Sequence, residues 1–197
     1  HNIPVIVDAA STLPPVDHLR RWIRWGADLV IYSGGKGIRG PQDSGLLAGR
    51  ADLIEAARAN GSPNRAVGRA AKVSKEAMAG LAVALDRFMT HDHDADFAEH
   101  REQARTIQRS LTDRSDTVVE LIDDPEEYPA PVLLVTPSKG AGWTPADLHR
   151  ALKESEPPIH CRLEQGRLEI NTHCLLPGEP EQIAESLASI LNRWTNS

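Results

Sequence analysis

"YSGGKGIRGPQDSG", Tyr32 to Gly45, sets one lysine among five glycines directly after the apolar run "DLVIY". Three chemistries fit such a loop on first reading. Gly35-x-Gly37-x-x-Gly40 matches the dinucleotide fingerprint, but that motif must open a helix so that a pyrophosphate meets the helix N-terminus. Here Pro41 to Gly45 follows and then a further strand pattern, with no acid-ending strand at the required distance. A phosphate-binding P-loop needs Ser or Thr after its lysine, and Gly37 stands there instead. The third reading makes Lys36 a covalent anchor for a cofactor. Taken alone, "GGKG" is an ordinary glycine-rich turn with a solvated lysine.

The surroundings of the loop favour the third reading. Ile3 to Val7 is a short β-branched apolar run that predicts a buried strand of a parallel sheet, with Asp8 at its carboxyl end. "VDHLRRWIRWGA" predicts a helix with Leu19, Trp22 and Ile23 on its inner face and Gly26 ending it. "DLVIYS" is the next buried strand, so Asp8 and Lys36 fall at strand ends of one β-α-β unit, where open α/β sheets place ligands. Asp8 alone would read as a helix-capping residue. Together, an acid at one strand end and Ser33-x-x-Lys36 at the next match what pyridoxal phosphate requires. The lysine amine forms a Schiff base with the aldehyde, and a carboxylate keeps the ring nitrogen protonated. A hydroxyl near the lysine can bond the cofactor phosphate, and glycines permit close backbone approach.

Composition bounds the rest. The 197 residues, 40% hydrophobic and 25% charged, suit one or two globular domains. A net charge of −6 argues against a broad nucleic-acid surface or an anionic membrane partner. No apolar run approaches the roughly 20 residues of a bilayer span. Cys161 and Cys174 form neither a disulfide framework nor a zinc motif, which with the lack of a signal segment points to the cytoplasm. The start at His1, running straight into a core-like strand, is expected of the middle of a longer protein.

Further along, "SGLLAGR" predicts a short strand and "ADLIEAARAN" a helix. A helical region from about Lys72 to Thr112 includes "AMAGLAVALDRFM", apolar nearly all round and so expected to be buried. From Asp116 the pattern becomes ββαββα. It comprises strands "TVVELI" and "APVLLVTP", a helix capped by Thr144 with Pro145 first, a hairpin turning at Gln165-Gly166, and a closing amphipathic helix. The expected layout is 1–88 as part of a cofactor-binding domain, 89–115 as a connecting helix and 116–197 as a small α+β domain.

"IVDAASTLPP", "GADLVIYSGGKGIRGPQDSGLLAGR" and "VGRAAKVSKEAMAGLAVALDRF" together resemble the selenocysteine synthase and D-glucosaminate-6-phosphate ammonia-lyase group of fold-type-I pyridoxal-phosphate enzymes. The resemblance covers most of residues 1–90 and returns in "LEINTHCLLPGE". It implies an α/β fold: the C-terminal part of an aspartate-aminotransferase-like large domain plus a small α+β domain. It also implies Lys36 as the Schiff-base lysine, Asp8 as the pyridinium partner and Ser33 as a cofactor-phosphate ligand. Members carry an N-terminal half with the ring-stacking residue and most phosphate ligands, so the remainder is expected in the same or a companion chain, within a homo-oligomer. Gly35 before the lysine and "KVSKE" look closer to the ammonia-lyase branch than to selenocysteine synthase, which usually has an acid there. Elimination from an amino acid or amino-sugar acid is the expected reaction. Transfer, racemisation and transamination use the same residues, and an incomplete half could instead be an interaction domain.

Three other groups stand out. Arg65, Arg69 and Lys72 are basic residues in a loop, ordinarily a solvated face. By resemblance Arg69 and Lys72 match a basic motif near the family's active site, with Arg69 the favoured substrate-binding residue. His173 falls where relatives often carry an arginine for a substrate carboxylate. A histidine is shorter and can be neutral there. "THDHDADFAEH", Thr90 to His100, has the density of a metal site, yet its near-contiguous residues read as a solvated turn, and no metal is expected.

Overall fold

The computed structural model describes residues 3–195. The chain divides into two compact units, His1–His93 and Asp94–Ser197.

In the first unit β1 (Ile6–Asp8) pairs in parallel with β2 (Leu29–Ser33), and β2 pairs antiparallel with β3 (Gly45–Gly49). The glycine loop between β2 and β3 is long enough to reverse the chain, so β3 returns beside β2. α1 (His18–Arg24) joins β1 to β2, and α2 (Ala51–Asn60) and α3 (Lys75–Thr90) follow β3. Paired residues share a face of the sheet. Val7, Val30, Tyr32 and Leu46 face inward and pack with Leu19 and Trp22 of α1 and Leu81, Ala84 and Phe88 of α3. The opposite face carries Asp8, Ser33 and the apolar Ile6, Ile31 and Leu47, which are 59%, 41% and 37% exposed. The expectation that Ile3 to Val7 is buried is therefore corrected. α1 and α3 pack on the face that carries Val7, Val30 and Tyr32, whereas Ile3, Val5 and Ile6 are exposed.

Two helix expectations also change. α3 buries one stripe, Ala77, Gly80, Leu81, Ala84, Leu85 and Phe88, the spacing of a helix face, while Met78, Val83 and Met89 are exposed. An all-round apolar sequence thus did not mean all-round burial. The stretch Lys72–Thr112 is not continuous. Ser74 caps α3 by accepting from Ala77 N, and His91 is extended (φ −74°, ψ 145°) before α4 (His93–Arg109) begins. On α1, Ile23 faces outward at its edge and the buried position belongs to His18.

The second unit holds α4 and a four-stranded antiparallel sheet of order β4-β5-β7-β6: β4 (Thr117–Ile122), β5 (Val132–Pro137), β7 (Arg167–Asn171) and β6 (Arg162–Glu164). The hairpin turns where expected, with Gln165 (φ 50°) and Gly166 (φ 73°) both left-handed. α5 (Pro145–Lys153) begins with a capping box between Thr144 and Asp147. α6 (Glu179–Thr195) lays Ile183, Leu187, Ile190 and Leu191 into a core with Ile107, Leu133, Leu148 and Leu168. Truncating a fully buried leucine of that core, such as Leu187, costs about 2–5 kcal/mol.

Candidate functional site

The strand register brings two predicted residues, Asp8 and Ser33, to one end of one sheet face. Asp8 ends β1 opposite Ile31, and Ser33 ends the neighbouring parallel strand two residues later, on the same face. Lys36 follows within the loop and is exposed. The Asp8 carboxylate Oδ1 accepts from Ala10 N at 3.0 Å, and the residue is exposed. Lys36 Nζ donates to Ser11 Oγ at 2.8 Å. Ser11 was missed in the sequence reading. Its signal was its position in the tight turn after Asp8, where Thr12 N and Thr12 Oγ1 both donate to Ala9 O, at 3.2 and 3.0 Å.

The glycines around Lys36 are closely crowded by neighbouring residues. A Cβ on Gly34 would meet Ser44 and one on Gly35 would meet Gln42, whose Nε2 donates to Gly35 O at 3.1 Å. A Cβ on Gly37 would run into the Leu13 carbonyl. Gly34 N donates to Ser44 O at 2.9 Å and Gly40 N to Gly34 O at 2.7 Å, so the loop is closed on itself by its own backbone. Arg39 takes a left-handed conformation (φ 58°) inside it. The loop is therefore a built platform with Lys36 projecting from it, not a slack turn.

The residues present suit pyridoxal phosphate by their donor chemistry: an amine, a carboxylate and a hydroxyl at adjoining strand ends, with Cβ-free backbone beside them.

Arg69 lies in the loop between α2 and α3, where its Nη1 donates to Ser62 Oγ at 3.2 Å. It is exposed, as are Arg65 and Lys72. His173 belongs to the second unit, after β7. Its backbone N–H donates to Asn171 Oδ1 at 2.8 Å, and its ring meets that of His100 edge to face at 5.8 Å. In the first unit the rings of His91 and His93 meet at 5.0 Å, and His93 Nε2 donates to Phe88 O at 2.9 Å.

Other ionisable groups frame the sheet. Arg50, beside β3, bonds Asp28 at 2.8 Å and Asp52 at 2.7 Å. The Arg50 guanidinium, with help from Val5 N–H, holds the Asp28 carboxyl below its usual value. This pairing fastens the entry of β2 to the exit of β3 and to Val5 before β1, at the end of the strands away from Lys36.

No protein-family profile matches the chain. It is 35% identical over 199 residues to a 5'-C-glycyluridine monooxygenase-decarboxylase of a Streptomyces species, covering 97% of the chain and 47% of that relative. It is 28% identical over 192 residues to the L-seryl-tRNA(Sec) selenium transferase of Moorella thermoacetica, covering 86% of the chain and 39% of the relative. Among solved structures, D-glucosaminate-6-phosphate ammonia-lyase matches with a TM-score of 0.67 at 26% identity, over 98% of this chain and 50% of that one. The chain spans about half the length of the curated relatives it matches. The strand topology and these likenesses agree: the chain belongs to the fold-type-I pyridoxal-phosphate enzymes, in the group of selenocysteine synthase and D-glucosaminate-6-phosphate ammonia-lyase, as their C-terminal part.

Proposed function

We propose that this chain supplies the covalent lysine and the ring-nitrogen carboxylate of an enzyme acting at Cα of an amino acid or amino-sugar acid, with elimination of ammonia the favoured outcome. The observation that carries this reading is the meeting of Asp8 and Ser33 on one sheet face at adjoining strand ends, with Lys36 in the loop that follows and its amine on Ser11 in the turn after Asp8. Pyridoxal phosphate, when bound, supplies an aldehyde and an electron-withdrawing ring.

Lys36 Nζ would be the covalent anchor and, as a free amine, the base at the substrate Cα. Ser11 Oγ, 2.8 Å away, accepts from the Lys36 amine and holds it in place. Asp8 would hold a proton on the ring nitrogen, and Ser33 would bind the cofactor phosphate. Arg69 binds an anionic group of the substrate, and His173 is read as a substrate-binding residue from the sequence.

The other half of the enzyme, in the same or a companion chain, would bring the ring-stacking group and further phosphate ligands, in a homo-oligomer. Two observations support this. The relatives are about twice as long, and the sheet face bearing Asp8 leaves Ile6, Ile31 and Leu47 exposed. Intact mass and gel analysis of the purified protein test it. A single active species of this chain alone would remove the need for a second half, and a chain with neither cofactor nor partner chemistry would favour an interaction domain.

A second reading comes from the relative that matches 97% of the chain, whose name describes oxygenation with decarboxylation of a glycyl nucleoside. On this reading Lys36 and Asp8 would serve the same roles at the same carbon. Product analysis separates the two, since elimination releases ammonia whereas oxidative decarboxylation consumes oxygen and releases carbon dioxide. Lys36 itself is tested in the intact enzyme: Lys36→Ala should abolish both turnover and the borohydride-fixed cofactor adduct. An adduct mapped to another lysine would overturn the assignment.

A further inference from the structure

We infer that His18 is a positioning residue for Lys36, acting through the Ala9–Leu13 loop whose Ser11 hydroxyl holds the lysine amine. This rests on the reading of Lys36 as the reactive amine. His18 opens α1 and is 4% exposed, an unusual place for an imidazole. Its ring is fully engaged. Nδ1 lies 2.6 Å from Thr12 O, and Nε2 meets the Arg21 guanidinium. A carbonyl only accepts, so Nδ1 must carry the proton. A guanidinium only donates, so Nε2 must be the lone-pair nitrogen. Both constraints select the same neutral tautomer, and neither leaves the ring freedom to turn.

What the ring holds is the loop that touches the lysine. Thr12 closes the turn back onto Ala9, Ser11 sits between them with Oγ on Lys36 Nζ, and Leu13 packs its carbonyl against Gly37. The backbone of His18 is tied to the other side of the site. Its carbonyl accepts from Tyr32 Oη at 2.9 Å, and Tyr32 immediately precedes Ser33 in β2. One residue thus fixes the loop after Asp8 by its ring and the strand before Lys36 by its main chain. Leucine at this position would keep the carbonyl contact to Tyr32 but leave Thr12 O without its ring donor.

The test measures the lysine directly. In the intact protein freed of cofactor, the rate at which trinitrobenzenesulfonate modifies Lys36 is followed by peptide mass spectrometry. His18→Leu and Ser11→Ala should each change that rate by about three- to tenfold, the worth of one ordinary hydrogen bond. The double variant should change it no further, because both act on one contact. His18→Asn, whose amide nitrogen stands as far along the side chain as Nδ1, should return the rate to that of the natural protein. An unchanged rate in His18→Leu, or effects that multiply in the double variant, would overturn the inference. If His18→Leu fails to fold, the nitrogen-15 spectrum of His18 in the natural protein decides. An Nδ1–H tautomer is expected, and an Nε2–H tautomer rules the proposal out. Turnover by a Lys36→Ala variant would instead sink the parent reading, and it leaves these modification rates intact.

Discussion

The carbonyl group of Leu13 fills the space that a Cβ on Gly37 would need: the ideal Cβ position is 2.8 Å from the carbonyl carbon and nearer still to its oxygen. Both partners are main chain, so no flexible side-chain end can yield. The contact fixes how the loop after Asp8 seats on the loop that carries Lys36.

Gly37→Ala is therefore expected to cost about 1–3 kcal/mol of stability, the usual range for forcing extra volume into a packed contact. It should also loosen cofactor retention, because the loop must lift away from Leu13. Gly142→Ala is the control: nothing lies within 4 Å of its Cβ position, and a surface change of that kind stays within about 0.5 kcal/mol. Thermal unfolding of the intact protein compares the two. Equal effects would show that the Leu13 contact carries no strain.

Much of this arrangement was legible in the sequence, because it depends on local patterns. Apolar runs ending in Asp8 and Ser33 placed both at strand ends, and the Thr144 cap with Pro145 and the Gln165-Gly166 turn marked their elements unambiguously. Burial was less legible. Ile3, Val5 and Ile6 have the composition of a strand covered on both faces, but composition does not say which face finds a covering helix. α3 misled for a related reason: Met78, Val83 and Met89 are apolar without being inward. Ser11 and His18 escaped because a lone serine and a lone histidine carry no periodic signal. Their importance comes from hydrogen bonds to residues 25 and 6 positions away.

Asp8→Asn is expected to keep the fold and most bound cofactor, since the amide has the carboxylate's shape and can still accept from Ala10 N. Turnover should fall on the order of 100-fold or more, because a neutral amide no longer holds the proton on the ring nitrogen. Cofactor occupancy by absorbance and steady-state rates give the two numbers together. Near-normal turnover with full occupancy would remove Asp8 from the mechanism.

The two cysteines should differ in reactivity. Burial pushes the Cys161 thiol up to about 11, whereas Cys174 is exposed. At neutral pH Cys161 has almost no thiolate, the form that attacks alkylating agents. Iodoacetamide at about pH 7.5 should label Cys174 first by at least roughly tenfold, and Cys161 should catch up only in urea. Peptide mass spectrometry over a time course reads the order directly. Equal labelling in the folded protein would contradict the burial of Cys161.

The final prediction concerns acid stability and the joint between β4 and α6. Arg114 holds Asp116 through two parallel bonds, Nε to Oδ1 at 2.9 Å and Nη2 to Oδ2 at 2.8 Å, with both side chains about 15% exposed or less. Thr117 and Thr195 also donate to the carboxylate, at 2.9 and 3.1 Å, and Arg114 Nη1 reaches Asn192 Oδ1 at 2.5 Å. The Arg114 hydrogen bonds hold the Asp116 carboxyl below its usual value, against the opposing effect of desolvation. A depressed carboxyl stabilises the fold above the unfolded aspartate value near ~3.9, and that contribution disappears as pH falls through the lower folded value. Asp116→Asn should therefore lower stability by about 1–3 kcal/mol near neutral pH, the range for losing a charged hydrogen-bond partner. As pH drops toward roughly 2, the natural protein loses its own advantage and the two should converge. Urea midpoints of the intact protein and the variant, compared across that range, measure the gap. A difference that stays constant with pH would mean that the pair contributes through packing and not through charge.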